Sequence, residues 1–352
     1  MPETMQAAVY VGPRQLRVEE IARPRCGEQD VLIKVHLCGI CGSDVHSYKS
    51  GFYTQPGQVL GHEFAGELVE VGDAVTGLKP GDRVTGFSMG VCGTCYWCTR
   101  EQYALCPALF TNSTGYGRPG AFAEYVQIEN AVPGINVFPL PDELPDAIAA
   151  TVEPVSVAVG TIAQAQIQPG DSVVVLGGGT IGNACMQVAK AAGAGKVLMV
   201  EVSPIRLEAA RALGADGVFD AREGDALEWV KQQVGVGPYH FNEGAMADVV
   251  IEAAGAPQTI VQSFEMVRSG GTIAFVGLPE EAAPIDTTKI VHKAPRIVGC
   301  LGGDFGRSIE LLASGAVDTA PLVTHTFDLP DAPEAFETQL RANEAVKVMV
   351  RM

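Results

Sequence analysis

The chain has 352 residues, of which 47% are hydrophobic and 18% charged, and its net charge is −17. This length exceeds what one hydrophobic core usually serves and favours two domains, and the composition excludes a disordered chain. The acidic excess argues against a nucleic-acid partner, because phosphates are bound by clustered Lys and Arg.

The first part of the chain, to about Glu153, predicts a β-rich domain. Short β-type runs such as 31–35 and 67–71 are bounded by turn residues. After about residue 302 we expect a helix over 308–314, a β segment and a helical tail that returns to the first domain. The predicted division is therefore 1–154 with 303–352, and 155–302.

The middle of the chain alternates between strand and helix patterns. Helices are predicted over 181–192 and 205–213. Buried-type strands are predicted over 173–176, 197–200, 248–252 and 272–276. This alternation indicates βαβ units and a parallel sheet.

A glycine-rich turn joins the first of these strands to its helix. Gly177, Gly179 and Gly182 form G-x-G-x-x-G, with Thr180 and Ile181 inside the motif. The motif alone is weak, but its position between a strand and a helix favours dinucleotide binding over an ordinary turn. The helix N-terminus would then face the pyrophosphate.

An acidic residue stands where the adenosine ribose would be read. Glu201 lies 201 − 182 = 19 residues past Gly182 and can accept hydrogen bonds from ribose hydroxyls. It would repel a 2′-phosphate, so NAD is favoured over NADP, although nearby Arg206 could hold that phosphate. Val276 and Gly277, after a later strand, are further candidate cofactor residues.

Four cysteines form a compact metal-binding pattern. Cys92, Cys95, Cys98 and Cys106 make C-x2-C-x2-C-x7-C, which can enclose one tetrahedral zinc ion in a closed, structural site. A disulfide would need an oxidising compartment, and an iron–sulfur cluster is the other alternative.

A second candidate metal set precedes this cluster. Cys41 lies in a G-I-C-G-S-D-V-H run, and His62 and Glu63 lie in G-H-E. Each fragment alone is weak, since a lone Cys is usually core and a lone His is usually structural. The other cysteines, which we expect to be buried small hydrophobes, are Cys26, Cys38, Cys185 and Cys300.

The order of these motifs, with Glu153-Pro154 between the cysteine cluster and the glycine turn, resembles the zinc-containing medium-chain alcohol and polyol dehydrogenases over essentially the whole chain. The nearest pattern is the sorbitol and butanediol dehydrogenase branch. The resemblance implies an α/β protein with a β-rich GroES-like catalytic domain and a Rossmann doubly wound domain. It also implies an NAD-dependent oxidoreductase with two zinc ions per chain, acting on a small alcohol or ketone.

The same resemblance assigns the catalytic zinc ligands. They are Cys41, His62 and Glu153, with Glu63 as an alternate or outer ligand and Asp44 as the acceptor that orients His62. Zinc with one open position would lower the pKa of a bound hydroxyl toward about 7.

Ser43 is expected to accept the substrate proton, and His46 to pass it to solvent. We expect a cytoplasmic homo-oligomer, a tetramer rather than a dimer. The first nine residues resemble no signal peptide, and no apolar run is long enough for a membrane helix.

The substrate is expected to be a secondary alcohol or small vicinal diol. Sorbitol-type enzymes carry an Arg-Tyr pair after the last cofactor-domain strand, whereas this chain has Gly302 and Gly303 near that place. Candidate pocket residues are otherwise mostly apolar: Tyr48, Phe52, Phe110, Phe122 and Leu301.

A polyol or L-threonine remains an alternative substrate. Alternatives of other kinds are a zinc-free quinone or enoyl reductase and a non-catalytic NAD-binding structural protein. The retained ligand residues argue against both.

Overall fold

The computed structural model describes residues 3–352. The chain divides into two compact units. The first extends to Glu153 and includes Ser308–Ala313 and Val323–Met352; the second comprises Pro154–Arg307 and Ser314–Leu322. Residues 1 and 2, with which the first predicted domain begins, lie outside the described residues.

The elements are as follows in chain order. The strands are β1 (Thr4–Gly12), β2 (Gln15–Ala22), β3 (Val31–Gly39), β4 (Glu63–Val71), β5 (Arg83–Gly86), β6 (Ser113–Thr114), β7 (Gly117–Arg118), β8 (Tyr125–Ile128), β9 (Val137–Pro139), β10 (Ser172–Leu176), β11 (Lys196–Glu201), β12 (Gly217–Asp220), β13 (Val236–Tyr239), β14 (Asn242–Ala245), β15 (Ala247–Glu252), β16 (Val267–Phe275), β17 (Arg296–Gly299), β18 (Val323–Asp328) and β19 (Lys347–Arg351). The α-helices are α1 (Gly42–Ser50), α2 (Asp146–Ala149), α3 (Val152–Ala165), α4 (Thr180–Ala191), α5 (Pro204–Ala212), α6 (Ala226–Val234), α7 (Pro257–Met266), α8 (Thr287–Lys293), α9 (Phe305–Ala313) and α10 (Ala332–Gln339).

The first unit is built on a seven-stranded sheet with the order β18-β19-β3-β4-β5-β9, and β8 pairs with β3 as well. Strand β3 carries the core of this unit: Val31, Ile33 and Val35 have no exposed surface. Its antiparallel partner β4 begins at Glu63, so the G-H-E motif leads directly into the central strand pair. This junction fixes the position of His62 and Glu63.

The end of the chain corrects one prediction. The expected helical tail contains a helix, α10, but it finishes as strand β19, which pairs with β3 and β18. Val348, Met349 and Val350 are fully buried there. A short apolar run is favoured as a strand when it completes the middle of a sheet.

The second unit contains a six-stranded parallel sheet with the order β12-β11-β10-β15-β16-β17. When only the strands of this sheet are numbered, the order is 3-2-1-4-5-6, the doubly wound order of dinucleotide-binding domains. Residues 173–176 of β10 have no exposed surface, as expected for a strand covered on both faces. The strand order reverses between β10 and β15, and ligands of such sheets bind at the carboxyl ends there.

The connection after α9 differs from the predicted boundary at residue 303. Residues 314–322 belong to the second unit because Gln187 on α4 makes two hydrogen bonds to the backbone of Asp318, at 2.9 and 2.7 Å. Within residues 3–352, no helix combines the length and the apolar character that crossing a bilayer requires.

Candidate metal centres and nucleotide site

Three predicted ligands of the catalytic metal converge in the first unit. Cys41 immediately precedes α1, and His62 and Glu63 lie at the start of β4. One ligand atom from each lies within 4.8 Å of the other two. Gly61 makes the turn possible: its φ is +96°, and a Cβ there would lie 2.8 Å from the Phe122 ring. A side chain at Gly61 would therefore displace His62.

Asp44 connects the two segments that carry these ligands. It is 1% exposed and accepts hydrogen bonds from the backbone N–H of Cys41 at 3.0 Å and of Gly61 at 3.2 Å. Its Oδ1 also lies 3.6 Å from Nδ1 of His62, a buried atom without a hydrogen-bond partner among the described residues. This contact, longer than the hydrogen bond expected from the sequence, leaves Nε2 of His62 available to a metal.

Glu63 has a buried cationic partner that the sequence analysis did not identify. Lys347 on β19 donates to Oε2 of Glu63 at 2.5 Å and to the carbonyl of Ile40 at 2.9 Å. Both charged residues are at least 98% buried. Burial lowers the pKa of Lys347, but Glu63, Cys41 and Glu153 together outweigh this effect and hold that pKa above its ordinary value. One oxygen of Glu63 is thus committed to the lysine.

Glu153, at the start of α3, is not in the group of atoms within 4.8 Å of one another, as far as the described residues show. It is nevertheless coupled to that group electrostatically. Burial raises the pKa of Glu153 to about 7; nearby His62 opposes the rise and Glu63 adds to it. Burial and Glu63 likewise raise the pKa of Cys41. So many buried acidic groups around one imidazole suit a divalent cation, whose charge would favour their ionised forms.

The two predicted proton-transfer residues share helix α1. Ser43 and His46 are one helical turn apart. Ser43 Oγ accepts a hydrogen bond from the hydroxyl of Tyr116, a contact that the sequence analysis missed. Tyr116 is 6% exposed, and its ring centroid lies 5.0 Å from that of His62.

The cysteine cluster has the dimensions of a zinc–thiolate site. One sulfur atom from each of Cys92, Cys95, Cys98 and Cys106 lies within 4.8 Å of the others. Cys92 Sγ is 4.0 Å from Cys98 Sγ and 3.7 Å from Cys106 Sγ. A tetrahedron with metal–sulfur bonds of about 2.3 Å has edges of roughly 3.8 Å. None of the nine cysteines is in a disulfide.

Backbone groups of the same loop stabilise thiolates. The N–H groups of Cys92 and Cys98 point at the sulfur atoms of Cys106 and Cys95, at 3.3 and 3.5 Å. Hydrogen bonds from the backbone of Thr94 and Cys95 lower the pKa of Cys92 to about 6, whereas burial and the neighbouring cysteines raise that of Cys98 to about 12, a rise that a bound cation would oppose. The loop therefore fits a metal that takes four deprotonated cysteines.

The glycine turn of the second unit lies between β10 and α4, at the reversal of strand order. Gly177 has φ +100°, and a Cβ on Gly182 would lie 1.8 Å from the carbonyl oxygen of Gly177. A Cβ on Gly179 would meet its nearest atom only at 4.0 Å, which leaves open space at the N-terminus of α4. Thr180 and Ile181 form the first turn of this helix, where backbone N–H groups can bind phosphate.

Glu201 ends β11 beside this turn and is 7% exposed. It accepts hydrogen bonds from the backbone N–H of Gly178 at 2.7 Å, of Val202 at 2.6 Å and of Ser203 at 3.0 Å. Arg206 Nη1 lies 3.8 Å from the Glu201 carboxylate, and Arg206 Nε is buried without a hydrogen-bond partner among the described residues. Glu201, which favours NAD, and Arg206, which could hold a 2′-phosphate, thus both border the glycine turn.

Val276 and Gly277 follow β16 at the same edge of the sheet. Their backbone N–H groups both donate to the carbonyl of Glu252, at 2.9 Å each. A Cβ on Gly277 would lie 2.4 Å from the backbone N of Gly255. The predicted cofactor residues of this unit therefore gather around the carboxyl ends of its strands.

Two of the expected pocket residues belong to the core. Tyr48 is 2% exposed and donates to Glu337 at 2.8 Å, and Phe122 is 1% exposed. The rings of both contact Phe336, at centroid distances of 5.1 and 5.2 Å. The expectation that Tyr48 and Phe122 line the pocket was wrong, because both rings pack against Phe336 of α10.

The other expected pocket residues remain accessible. Phe52 is 57% exposed, Phe110 is half-buried and Leu301 is 42% exposed. The nearby Gly302-Gly303 segment lies against α3, since a Cβ on Gly303 would lie 2.4 Å from the backbone of Ser156. A residue with a side chain therefore does not fit at Gly303.

The remaining cysteines are only partly as expected. Cys38 and Cys185 are buried, whereas Cys26 and Cys300 are half-buried. Cys26 donates to the carbonyl of Asp30 at 3.2 Å.

Family comparisons agree with this geometry. Residues 27–142 match the alcohol dehydrogenase GroES-like domain, and residues 180–314 match the zinc-binding dehydrogenase domain. The chain is 36% identical to a sorbitol dehydrogenase from Bacillus subtilis, which covers 99% of this chain and 98% of that protein. It is also 36% identical to an L-threonine 3-dehydrogenase from Rhizobium johnstonii, over 99% of both chains.

Solved structures of the same architecture are similar over nearly the whole chain. The 2R,3R-butanediol dehydrogenase from Bacillus subtilis has a TM-score of 0.85 at 31% identity and covers 99% of both chains. A zinc-binding dehydrogenase from Sinorhizobium meliloti bound to NADP has a TM-score of 0.87 at 31% identity and covers 100% of both chains.

Proposed function

The chain belongs to the zinc-containing medium-chain alcohol and polyol dehydrogenases, and on that premise we propose that it oxidises a secondary alcohol or vicinal diol to the ketone with NAD. The observation that carries the proposal is the convergence of Cys41, His62 and Glu63 in a chain that also has the dinucleotide-binding turn. The fold class predicted from the sequence is confirmed, and the protein is an oxidoreductase.

We assign two zinc ions to each chain. Cys41 and His62 would hold the catalytic ion, with Glu63 or Glu153 as the third protein ligand. The closed site would be formed by Cys92, Cys95, Cys98 and Cys106. When bound, the catalytic ion would act as a Lewis acid toward the substrate oxygen.

The residues of α1 provide the path for the proton. Ser43 accepts the proton that leaves the substrate hydroxyl, and His46 passes it to solvent. Ser43→Ala should therefore lower kcat strongly, and His46→Ala more mildly and mostly at low pH. Ser50→Ala is the matched control, since this exposed serine of the same helix bonds to backbone groups: it donates to the carbonyl of His46 at 2.8 Å and accepts from the N–H of Phe52 at 3.3 Å. Unchanged activity in Ser43→Ala would remove the relay from the mechanism.

We propose NAD as the preferred cofactor, because Glu201 can receive the ribose hydroxyls and disfavours a 2′-phosphate. The NADP-bound relative and the position of Arg206 support the opposite choice. Steady-state kinetics with both cofactors should give the higher kcat/KM with NAD. Glu201→Gln should reduce the difference in kcat/KM between NAD and NADP. Glu208→Gln, at an exposed position of α5, should leave that difference unchanged. A higher kcat/KM with NADP in the unmodified enzyme would overturn this assignment.

The substrate proposal rests on what the relatives share. The named substrates of the sorbitol, threonine and butanediol enzymes all contain a secondary alcohol beside a second polar group. A true polyol remains the second candidate, favoured by the sorbitol relative. A panel of sorbitol, xylitol, 2,3-butanediol, L-threonine and 2-octanol decides between them. If sorbitol or xylitol gives the highest kcat/KM, the substrate proposal fails.

We also propose a cytoplasmic homotetramer. The polyol branch is commonly tetrameric, and nine free cysteines suit a reducing compartment. Light scattering during size exclusion should give about four times the 36.9 kDa chain mass; a monomeric mass would exclude it.

A further inference from the structure

We propose that Tyr53, Phe110 and Tyr116 form an aromatic wall beside the candidate catalytic metal centre and select secondary alcohols with a flat, apolar substituent, either aryl or cyclic. We further propose that Tyr116 is a positioning residue for Ser43. Both inferences rest on the proposed dehydrogenase function and name its substrate class more narrowly.

The wall is continuous from a predicted metal ligand to the surface. The ring centroids of His62 and Tyr116 are 5.0 Å apart, those of Tyr116 and Phe110 are 5.5 Å apart, and those of Phe110 and Tyr53 are 5.4 Å apart. Exposure rises along the series, from 6% at Tyr116 to 40% at Tyr53. Phe52, which is 57% exposed, extends the series 4.0 Å beyond Tyr53. Exposed aromatic surface that leads to buried chemistry is typical of a binding site for an apolar ligand.

Uncommon backbone conformations lie at one of these rings and on both sides of another. Tyr53 has φ +63°, in the left-handed region that aromatic residues rarely adopt. Tyr116 lies between two glycines with positive φ, and a Cβ on Gly115 would lie 2.9 Å from the carbonyl oxygen of Gly61. This close approach places Tyr116 beside His62. Such strain persists where the surrounding structure fixes it, and it is concentrated at functional sites.

The hydroxyl of Tyr116 gives the wall its polar end. It donates to Ser43 Oγ, so the hydrogen of Ser43 is not used in this bond. Ser43 keeps one lone pair for a substrate hydroxyl and one hydrogen for the next acceptor, as a proton relay requires. A bond in the opposite direction would consume that hydrogen and close the relay.

The chemistry of the wall discriminates between substrates. Its faces offer stacking to an aryl or cyclic group but only two hydroxyls, and that of Tyr116 is already bonded to Ser43. A sugar alcohol placed there would lose water from several hydroxyls and would find only the hydroxyl of Tyr53 in exchange. An aryl ring would gain edge or stacking contacts with Phe110 and Tyr53.

The test compares 1-phenylethanol with 2-butanol and sorbitol in the holoenzyme with NAD. We expect the highest kcat/KM for 1-phenylethanol. Phe110→Leu should raise the KM for 1-phenylethanol about 3- to 10-fold and change that for 2-butanol less than about 2-fold. Phe241→Leu, at a ring that is 99% exposed in the second unit, is the control and should change neither. A preference for 2-butanol or sorbitol, or equal effects of Phe110→Leu on both alcohols, would overturn the wall.

Tyr116→Phe separates positioning from packing. It keeps the ring and removes the bond to Ser43, so kcat should fall about 3- to 10-fold for every alcohol while KM for 1-phenylethanol stays within about 2-fold. Tyr116→Leu should in addition raise that KM. An unchanged kcat in Tyr116→Phe would remove its positioning role.

Calorimetric titration with acetophenone gives a readout that does not need turnover. Binding to the unmodified holoenzyme that weakens in Phe110→Leu but not in Phe241→Leu supports the wall even if no alcohol is oxidised. In that case the proposed function fails and the binding site stands. If acetophenone does not bind, the proposal of an aromatic wall fails, whichever alcohols the enzyme oxidises.

Discussion

Asp44→Asn tests how the first metal centre is assembled. The Asp44 carboxylate receives the backbone N–H groups of Cys41 and Gly61 and faces Nδ1 of His62. It therefore joins two segments that are 17 residues apart in sequence, each of which carries a proposed ligand. Asparagine has the same shape but only one acceptor oxygen, so one of the two N–H groups would meet an NH2 group.

The size of the effect follows from these contacts. A hydrogen bond from a backbone N–H to a buried carboxylate contributes about 1.5–3 kcal/mol. Losing one of the two should lower the free energy of unfolding by about 2–3 kcal/mol. Loss of the charge that faces His62 should weaken zinc binding at this centre about 10- to 100-fold.

Two measurements check this prediction. Competition with a chromophoric chelator should show one zinc ion bound more weakly in Asp44→Asn and the other unchanged. Urea unfolding should show the loss of stability. Asp30→Asn is the matched control, because its carboxylate also accepts two backbone N–H groups, from Gly27 at 3.1 Å and Asn130 at 3.0 Å, away from either centre. Asp30→Asn should lose stability without losing zinc affinity. If both variants weaken zinc equally, or if Asp44→Asn binds zinc as tightly as the parent, the reasoning about Asp44 is refuted.

Elemental analysis should find two zinc ions per chain, and a value at or below one would contradict the double assignment. Cys95→Ser should lose one ion and much of the stability of its loop, whereas Cys41→Ser should lose the other ion and all turnover with little change in unfolding. Burial raises the pKa of Asp146, but hydrogen bonds from Arg83 and His36 outweigh it and hold that pKa below its ordinary value. A carboxyl whose pKa is lower in the folded state stabilises the fold at pH values above its unfolded-state pKa of about 3.9. That stabilisation is lost as the pH falls through the folded-state pKa. Asp146→Asn should therefore lower the free energy of unfolding at pH 7 and flatten its dependence on pH below about 4, as urea unfolding between pH 3 and 7 would show. An equal effect of substituting exposed Asp142 would contradict this.

The second unit was the easier one to predict, for a physical reason. Strands covered on both faces are continuous apolar runs, and the predicted strand over 173–176 lies within one residue of β10. The glycine turn was recognisable because local geometry dictates its residues: Gly177 needs its positive φ, and Gly182 has no space for a Cβ. Motifs determined by their own backbone can be read from short stretches of sequence.

Residue type alone did not separate core from pocket in the first unit. Tyr48 and Phe110 are both large and aromatic, yet Tyr48 is buried by a contact with Glu337, 289 residues away, and Phe110 lies in the aromatic wall. Tyr116 was overlooked for the same reason. Its only local signal is the pair of flanking glycines, and its partners Ser43 and His62 are brought to it by the fold.

The error at the end of the chain also concealed the charge balance of the metal centre. Because the tail was expected to be helical to its end, Lys347 had no reason to lie near Glu63, 284 residues earlier. As part of β19 it pairs with Glu63 and leaves that carboxylate one oxygen for a metal. Burial raises the pKa of Glu153 to about 7, although the charges of His62 and Lys347 oppose the rise, so a divalent ion there would favour its ionised form. The choice of third ligand is therefore a competition between Lys347 and the metal for Glu63. Lys347→Met would free Glu63 for direct coordination, an outcome that X-ray absorption at the zinc edge can detect as an added oxygen ligand.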